Sequence, residues 1–131
     1  LEWAANRLRS GEAVGIFPEG TRSRDGLLHE GHSGVAHLAL RTGAPIVPVG
    51  IIGSDVAQPP GARVPVRGTT VRLRFGSPVD LGRWAGRPAT GTTRREITAE
   101  VMDAIAALSG QTRAPRSVNR HRATVSDTVA R

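Results

Sequence analysis

Apolar residues recur at helical spacing in three stretches of this chain. Leu1, Ala4, Ala5 and Leu8 share one face, which predicts a helix over Leu1–Arg9, and a second is expected over Val35–Arg41, closed by Thr42-Gly43. Ile97, Val101, Ile105 and Leu108 predict a third over Arg94–Leu108, with Thr92 or Thr93 as N-cap and Gly110 as the stop. Between these lie three strand patterns. Thr70–Phe75 alternates strictly, Val71, Leu73 and Phe75 against Arg72 and Arg74, as a half-buried strand does. Ile46–Ile52 is apolar throughout and β-branched, as expected of a strand covered on both faces, although Pro48 cannot donate to a ladder and hints at a bulge or an edge. Ala13–Phe17 reads as a short buried strand. The order helix, strand, helix, strand, strand, helix defines an α/β class, broken by Gln58–Gly68 and Leu81–Gly91, both rich in Pro and Gly.

At 131 residues one hydrophobic core is expected, and no apolar run is long enough for a transmembrane helix. Without cysteine there is no disulfide framework and no thiolate nucleophile, and with no recognisable signal peptide a cytoplasmic location is expected. The charge is uneven. All 18 cationic residues are arginine, against 11 acids. Residues 111–131 hold five of those arginines (Arg113, Arg116, Arg120, Arg122 and Arg131) against Asp127, so more than half of the net +7 falls there. That segment lacks apolar periodicity and is expected to be disordered, which divides the chain into a folded part, 1–110, and an arginine-rich tail, 111–131. So basic a chain suits an anionic partner such as phosphate, nucleic acid or an acidic membrane surface. Two Phe, two Trp and no Tyr leave few stacking platforms, so a nucleic-acid partner is not expected.

The chemistry concentrates after Phe17, where the expected strand runs into Pro18-Glu19-Gly20-Thr21-Arg22-Ser23-Arg24. Strand ends in α/β sheets are where ligands bind. Gly20 lets a ligand approach the backbone, Thr21 and Ser23 offer hydroxyls, and Arg22 and Arg24 carry planar forks that match phosphate oxygens. The alternative is a surface turn whose arginines are solvated or paired with Glu19 and Asp25. Arg22, close to an anchored strand end, is expected to be the main phosphate ligand. Arg24, nearer the Asp25-Gly26 turn, is an auxiliary. His29, His32 and His37 lack the i, i+4 spacing of a helical zinc pair, so no metal is expected.

Phe17-Pro18-Glu19-Gly20-Thr21-Arg22-Ser23, then Gly34-Val35-Ala36, then Ala44-Pro45-Ile46-Val47-Pro48-Val49-Gly50 resembles the glycerolipid acyltransferases, specifically the bacterial 1-acyl-sn-glycerol-3-phosphate acyltransferases. The resemblance continues through Arg72–Pro78 to Gly110. It implies a mixed sheet flanked by helices in the glycerol-3-phosphate acyltransferase-like arrangement. It also implies acyl transfer from acyl-CoA or acyl carrier protein to 1-acyl-sn-glycerol-3-phosphate (lysophosphatidic acid), giving phosphatidic acid, with no further cofactor. Glu19, Gly20, Thr21, Arg22 and Ser23 would hold the acceptor, with Arg24 and His32 auxiliary, and Pro45, Ile46, Val47 and Pro48 would lie on the acyl-donor side, unless they are simply core. Peripheral contact with an anionic membrane, at the inner face of the cell membrane, is implied as well.

The chain departs from that family in one respect. Family chemistry uses His-x-x-x-x-Asp, the histidine as general base and the aspartate as its orienter, and none of the four histidines has an aspartate at that distance. The expectation is therefore an acyltransferase domain incomplete at the N-terminus, inactive by itself and part of an active parent. The alternatives are a non-catalytic remnant that binds phosphate or anionic lipid, and a basic nucleic-acid-binding protein.

Overall fold

The computed structural model describes residues 1–115. Helix α1 (Glu2–Arg9) buries Ala4 and Ala5 against Leu38 of α2 (Gly34–Thr42), with Leu8 and Val14 at the margin. Arg41 also donates to the Glu2 carboxylate, joining the same two helices at the surface. Helix α2 stops where Gly43 turns left-handed, at φ 72°, a conformation without penalty for glycine.

The chain then enters strand β1 (Val49–Ile52), a one-turn helix α3 (Ser54–Ala57), strand β2 (Arg72–Phe75), a 3₁₀ turn at Gly82–Trp84, and the long helix α4 (Gly91–Ser109). Thr90, one position before the glycine that starts α4, is its N-cap, its hydroxyl accepting from the Thr93 N–H at 3.2 Å. The sequence pattern placed this cap two or three residues late, because Gly91 and Thr92 add no apolar signal. Ile97 and Val101 of α4 form the main core with Val35, Ala36, Ala39, Ile46 and Trp84.

Trp84 ties the loop before α4 to that helix. Its indole N–H donates to Glu96 Oε2 at 2.9 Å, and Arg87 donates to the same oxygen at 2.9 Å. These bonds, the indole's first, hold the Glu96 carboxyl below its usual 4.5. A carboxylate stabilised by the fold contributes fully above its ordinary value and loses that contribution as pH falls through the lowered one. Trp84 emission is thus expected to change only below about pH 4.5, and the acid step should be absent in Glu96→Gln. An unchanged acid step in that variant would contradict the coupling.

The sheet differs from the expectation. Among the described residues it has two antiparallel strands, with Val49 opposite Phe75 and Ile51 opposite Leu73, and it is not mixed. One face, marked by Gly50 and Arg74, lies on the end of α4. A Cβ at Gly50 would come within 2.6 Å of the Ser109 nitrogen, and Arg74 donates to the Leu108 carbonyl at 3.4 Å, cationic charge meeting the negative end of the helix. On the opposite face Val71, Leu73 and Phe75 are exposed (Phe75 at 68%), so β2 is a strand but not a half-buried one. Nothing among the described residues covers its apolar face.

Two further expectations are corrected. Ala13–Phe17 forms no strand: it joins no ladder and is largely exposed, with Phe17 at 74%. A buried strand needs neighbours on both edges, and none lies beside this segment among the described residues. The run Ile46–Ile52 enters the ladder only at Val49. Val47 is exposed while Ile46 and Pro48 are buried, so the segment is covered on one side. Pro48 contributes its carbonyl instead of a donor, accepting from Gly76 at 2.9 Å.

The expected disordered tail begins in ordered chain. Leu28 donates to the Thr112 carbonyl and accepts from Ala114, both at 2.9 Å, which fixes residues 112–114 alongside Leu28. The rest of that expectation falls on residues 116–131, outside those described.

Candidate functional site

The loop after Phe17 is organised around its own polar side chains. Pro18 accepts from the His32 N–H at 2.8 Å and Phe17 from Gly20 at 3.0 Å, so the motif closes a turn against the residues that lead into α2. Gly20 has φ 70°, and a Cβ there would lie 3.1 Å from the His32 ring, so both backbone and space favour glycine. Farther along, Gly31 packs against α4, where a Cβ would meet Met102 Sδ at 2.9 Å and Thr98 Cγ2 at 3.0 Å. The long helix therefore sets the height of the loop.

Both acids near the arginines are occupied by other groups. Glu19 accepts from the His29 backbone N–H at 2.7 Å. Asp25 accepts from Ser23 Oγ and from the Leu27 N–H, each at 3.0 Å, and its two carboxylate oxygens face His29 Nε2 at 2.9 and 3.1 Å. These contacts, His29 first, hold the Asp25 carboxyl down at about 2. Arg22 and Arg24 make no ion pair or side-chain hydrogen bond among the described residues.

Glu19, Thr21, Arg22, Ser23, Arg24, Asp25 and His29 together wall an open cleft of about 560 Å³. The structure thus brings four of the five expected acceptor residues to one concavity. Gly20 shapes the turn beside it, and His32, exposed, leans over Gly20. Arg24 is as well anchored as Arg22, contrary to the sequence argument. The Asp25 bonds tie down residues 23–29, much as the Phe17, Pro18 and Glu19 bonds hold the segment before Arg22. Pro45–Pro48 line no part of the cleft. Ile46 belongs to the core, Pro48 is buried, and Pro45 and Val47 face solvent.

The Asp25–His29 pair was not among the expected site residues. Its only sequence signal is a carboxylate four residues before a histidine across a glycine turn, a spacing that means little outside a helix. Among the described residues no group of three His, Asp or Glu side chains is placed to hold a metal ion.

Residues 1–52 match the family model described as Acyltransferase. A 1-acyl-sn-glycerol-3-phosphate acyltransferase from Limnanthes douglasii is 39% identical over 69 residues, 53% of this chain and 24% of that protein. A chloroplastic one from Brassica napus is 35% identical over 72 residues, 55% of this chain and 21% of that protein. The crystal structure of the 1-acyl-sn-glycerophosphate (LPA) acyltransferase PlsC from Thermotoga maritima superposes with a TM-score of 0.58 at 29% identity, over 84% of this chain and 46% of that one. The described elements are thus similar in fold to that acyltransferase. Over about half of its length the chain is similar to 1-acyl-sn-glycerol-3-phosphate acyltransferases, the group its motifs resemble. It spans about a quarter of the length of the curated relatives it matches. No described helix is long and apolar enough to cross a membrane.

Proposed function

We propose that the protein to which this chain belongs transfers an acyl group from acyl-CoA or acyl carrier protein to the free hydroxyl of 1-acyl-sn-glycerol-3-phosphate, giving phosphatidic acid, and that the cleft walled by Thr21–Asp25 and His29 holds the phosphate. The observation that carries this is the pair of guanidinium groups at Arg22 and Arg24. Both face one concavity, and neither is neutralised, because Glu19 and Asp25 are engaged by His29. Planar forks and hydroxyls from Thr21 and Ser23 give a phosphomonoester several charge-assisted donors.

In the reaction the acceptor hydroxyl oxygen attacks the thioester carbonyl carbon, the carbon–sulfur bond breaks, and the thiol leaves with a proton. The hydroxyl must give up its own proton on the way. This sequence holds no His-x-x-x-x-Asp to take it, so the chain contributes acceptor binding and by itself transfers nothing. Pro45 and Val47, the exposed members of Pro45–Pro48, are the ones offered to an acyl donor.

Titrating the chain with 1-acyl-sn-glycerol-3-phosphate and with the matching monoacylglycerol below their micelle concentrations separates the phosphate from the acyl chain. Binding of the phosphorylated lipid alone is expected. Equal binding of both would place recognition on apolar surface and contradict the assignment.

Membrane contact is peripheral in this reading. Arg113 is only 29% exposed and faces Asp103 at 3.7 Å, so it is poorly available to a lipid surface. Arg116, Arg120 and Arg122 remain, each worth about 1 kcal/mol near an anionic surface. Removing residues 116–131, which spares the Leu28 pairing, is expected to abolish sedimentation with phosphatidylglycerol vesicles at low salt. Retained sedimentation would move the contact to the folded part.

A further inference from the structure

The connection between β1 and β2, residues 53–71, displays apolar side chains and cationic charge together. From Asp55 to Asp80 the sequence has no intervening acid, and it has Arg63, Arg67, Arg72 and Arg74. Val56, Val64 and Val66 are 60%, 74% and 50% exposed. Arg63 and Arg67 are exposed as well and join no ion pair among the described residues. Farther along the same hairpin, Val71, Leu73 and Phe75 extend the exposed apolar surface.

This exposure is built into the fold. The Val66 N–H donates to the Ala57 carbonyl at 2.7 Å, closing the connection onto α3, and the Ala62 N–H donates to the Pro59 carbonyl at 2.9 Å. Gly61 turns between them at φ 85°, and the Thr69 hydroxyl donates to the Val66 carbonyl at 2.8 Å. Pro59, Pro60 and Pro65 fix further dihedrals, so little ordering entropy is lost when Arg63-Val64-Pro65-Val66-Arg67 meets a partner.

We propose that this connection, centred on Arg63–Arg67, is a docking surface for an anionic bilayer, with the arginines at the lipid phosphates and Val64 and Val66 at the acyl boundary beneath them. Charge selects that partner. Four arginines without an acid repel a second copy of a chain whose net charge is +7, and they attract an anionic surface. Nucleic acid matches the charge but gains nothing from the valines, whereas a bilayer sets anionic headgroups over hydrocarbon and uses both. The proposal deepens the peripheral contact of the proposed function, on which it rests for the lipid substrate, by naming a surface in the folded part. One weak signal gives only reversible binding, so Arg63–Arg67 and the arginines of residues 116–131 are both needed to keep the chain on a vesicle.

The chain has no cysteine, so a single introduced one can carry a reporter. Chains with Val64→Cys or, as the control, Ala99→Cys on the exposed side of α4 are labelled with a polarity-sensitive dye and mixed with phosphatidylglycerol or phosphatidylcholine vesicles at low salt. With phosphatidylglycerol the dye at position 64 is expected to shift to the blue and to be shielded from acrylamide, and the dye at position 99 to do neither. With phosphatidylcholine neither dye should respond. Val64→Asp combined with Val66→Asp, and separately Arg63→Gln combined with Arg67→Gln, should each weaken sedimentation with phosphatidylglycerol at least about tenfold, with the urea midpoint and glycerol 3-phosphate binding unchanged. Sedimentation of the chain with no response at position 64, or with an equal response at position 99, overturns the proposal and leaves the phosphate cleft standing. So does wild-type sedimentation by the aspartate variant. A blue shift at position 64 that grows with protein concentration in the absence of vesicles puts a second copy on this surface and also overturns it. A wild-type chain that sediments with no vesicle overturns this surface and the peripheral contact together, while its titration with glycerol 3-phosphate decides the phosphate reading independently.

Discussion

Replacing Arg22 by alanine is expected to weaken binding of glycerol 3-phosphate by the chain about tenfold, or roughly 1.4 kcal/mol. The figure is moderate because the cleft is open and the guanidinium is solvated before it binds. Truncating one partner of a buried charge pair costs on the order of 2–5 kcal/mol, and exposure reduces this. Arg22→Lys keeps the charge but loses the bidentate fork, so its loss should be smaller than that of alanine and still measurable. Arg24 shares the cleft wall and is held by the Asp25 bonds, so Arg24→Ala should cost a similar order rather than a trace. The double variant should bind more weakly than either. An Arg22→Ala chain within about threefold of wild type, a difference below 1 kcal/mol, would remove Arg22 from the site.

The largest effect on stability is expected at Ile97. It is wholly buried on α4 and packs in the cluster that joins α2, Ile46 and Trp84. Ile97→Ala deletes atoms from the point where these elements meet, leaving a cavity that Val101 and Ile46 cannot fill without moving their backbones. The cost is about 2–5 kcal/mol, a large part of the roughly 5–15 kcal/mol that a domain of this size commands. Urea unfolding of the purified variant measures it through the transition midpoint, and a loss below 1 kcal/mol would show the cluster to be loosely packed. Because α4 also supports Gly31 through Thr98 and Met102, the same variant should weaken phosphate binding indirectly.

Helical periodicity was readable because one side of each helix meets the core. Ala4, Ala5, Ile97 and Val101 are buried where their spacing put them, whereas Leu1, on the same face as Ala4 and Ala5, ends up exposed at the start of α1. The strands were less legible, because alternation reports which residues could be buried and not whether anything lies over them. Val71, Leu73 and Phe75 alternate faultlessly and are exposed, and Ile16 and Phe17, apolar enough for a core strand, have no ladder partner among the described residues.

At the site, Thr21–Arg24 share one concavity because residues adjacent in the chain on a tight glycine turn are brought together locally. The Asp25–His29 bond was not readable. It depends on the turn at Gly26 and on the anchoring of Leu28 by residues 112–114, a contact more than eighty positions away in sequence. That same contact explains why the tail was misread at its start, where no apolar period marks a segment fixed by backbone hydrogen bonds.

The central claim is that the cleft behind Phe17 binds a phosphomonoester through the arginines that Glu19 and Asp25 leave free. Amide and guanidinium NMR spectra of the ¹⁵N-labelled wild-type chain, titrated with glycerol 3-phosphate and separately with glycerol, test this most directly. Saturable shifts confined to Thr21–Asp25, His29 and the Nε–H of Arg22 and Arg24, with glycerol 3-phosphate alone, are the predicted result. Shifts spread evenly over all the arginines, or none at residues 21–29, would contradict it.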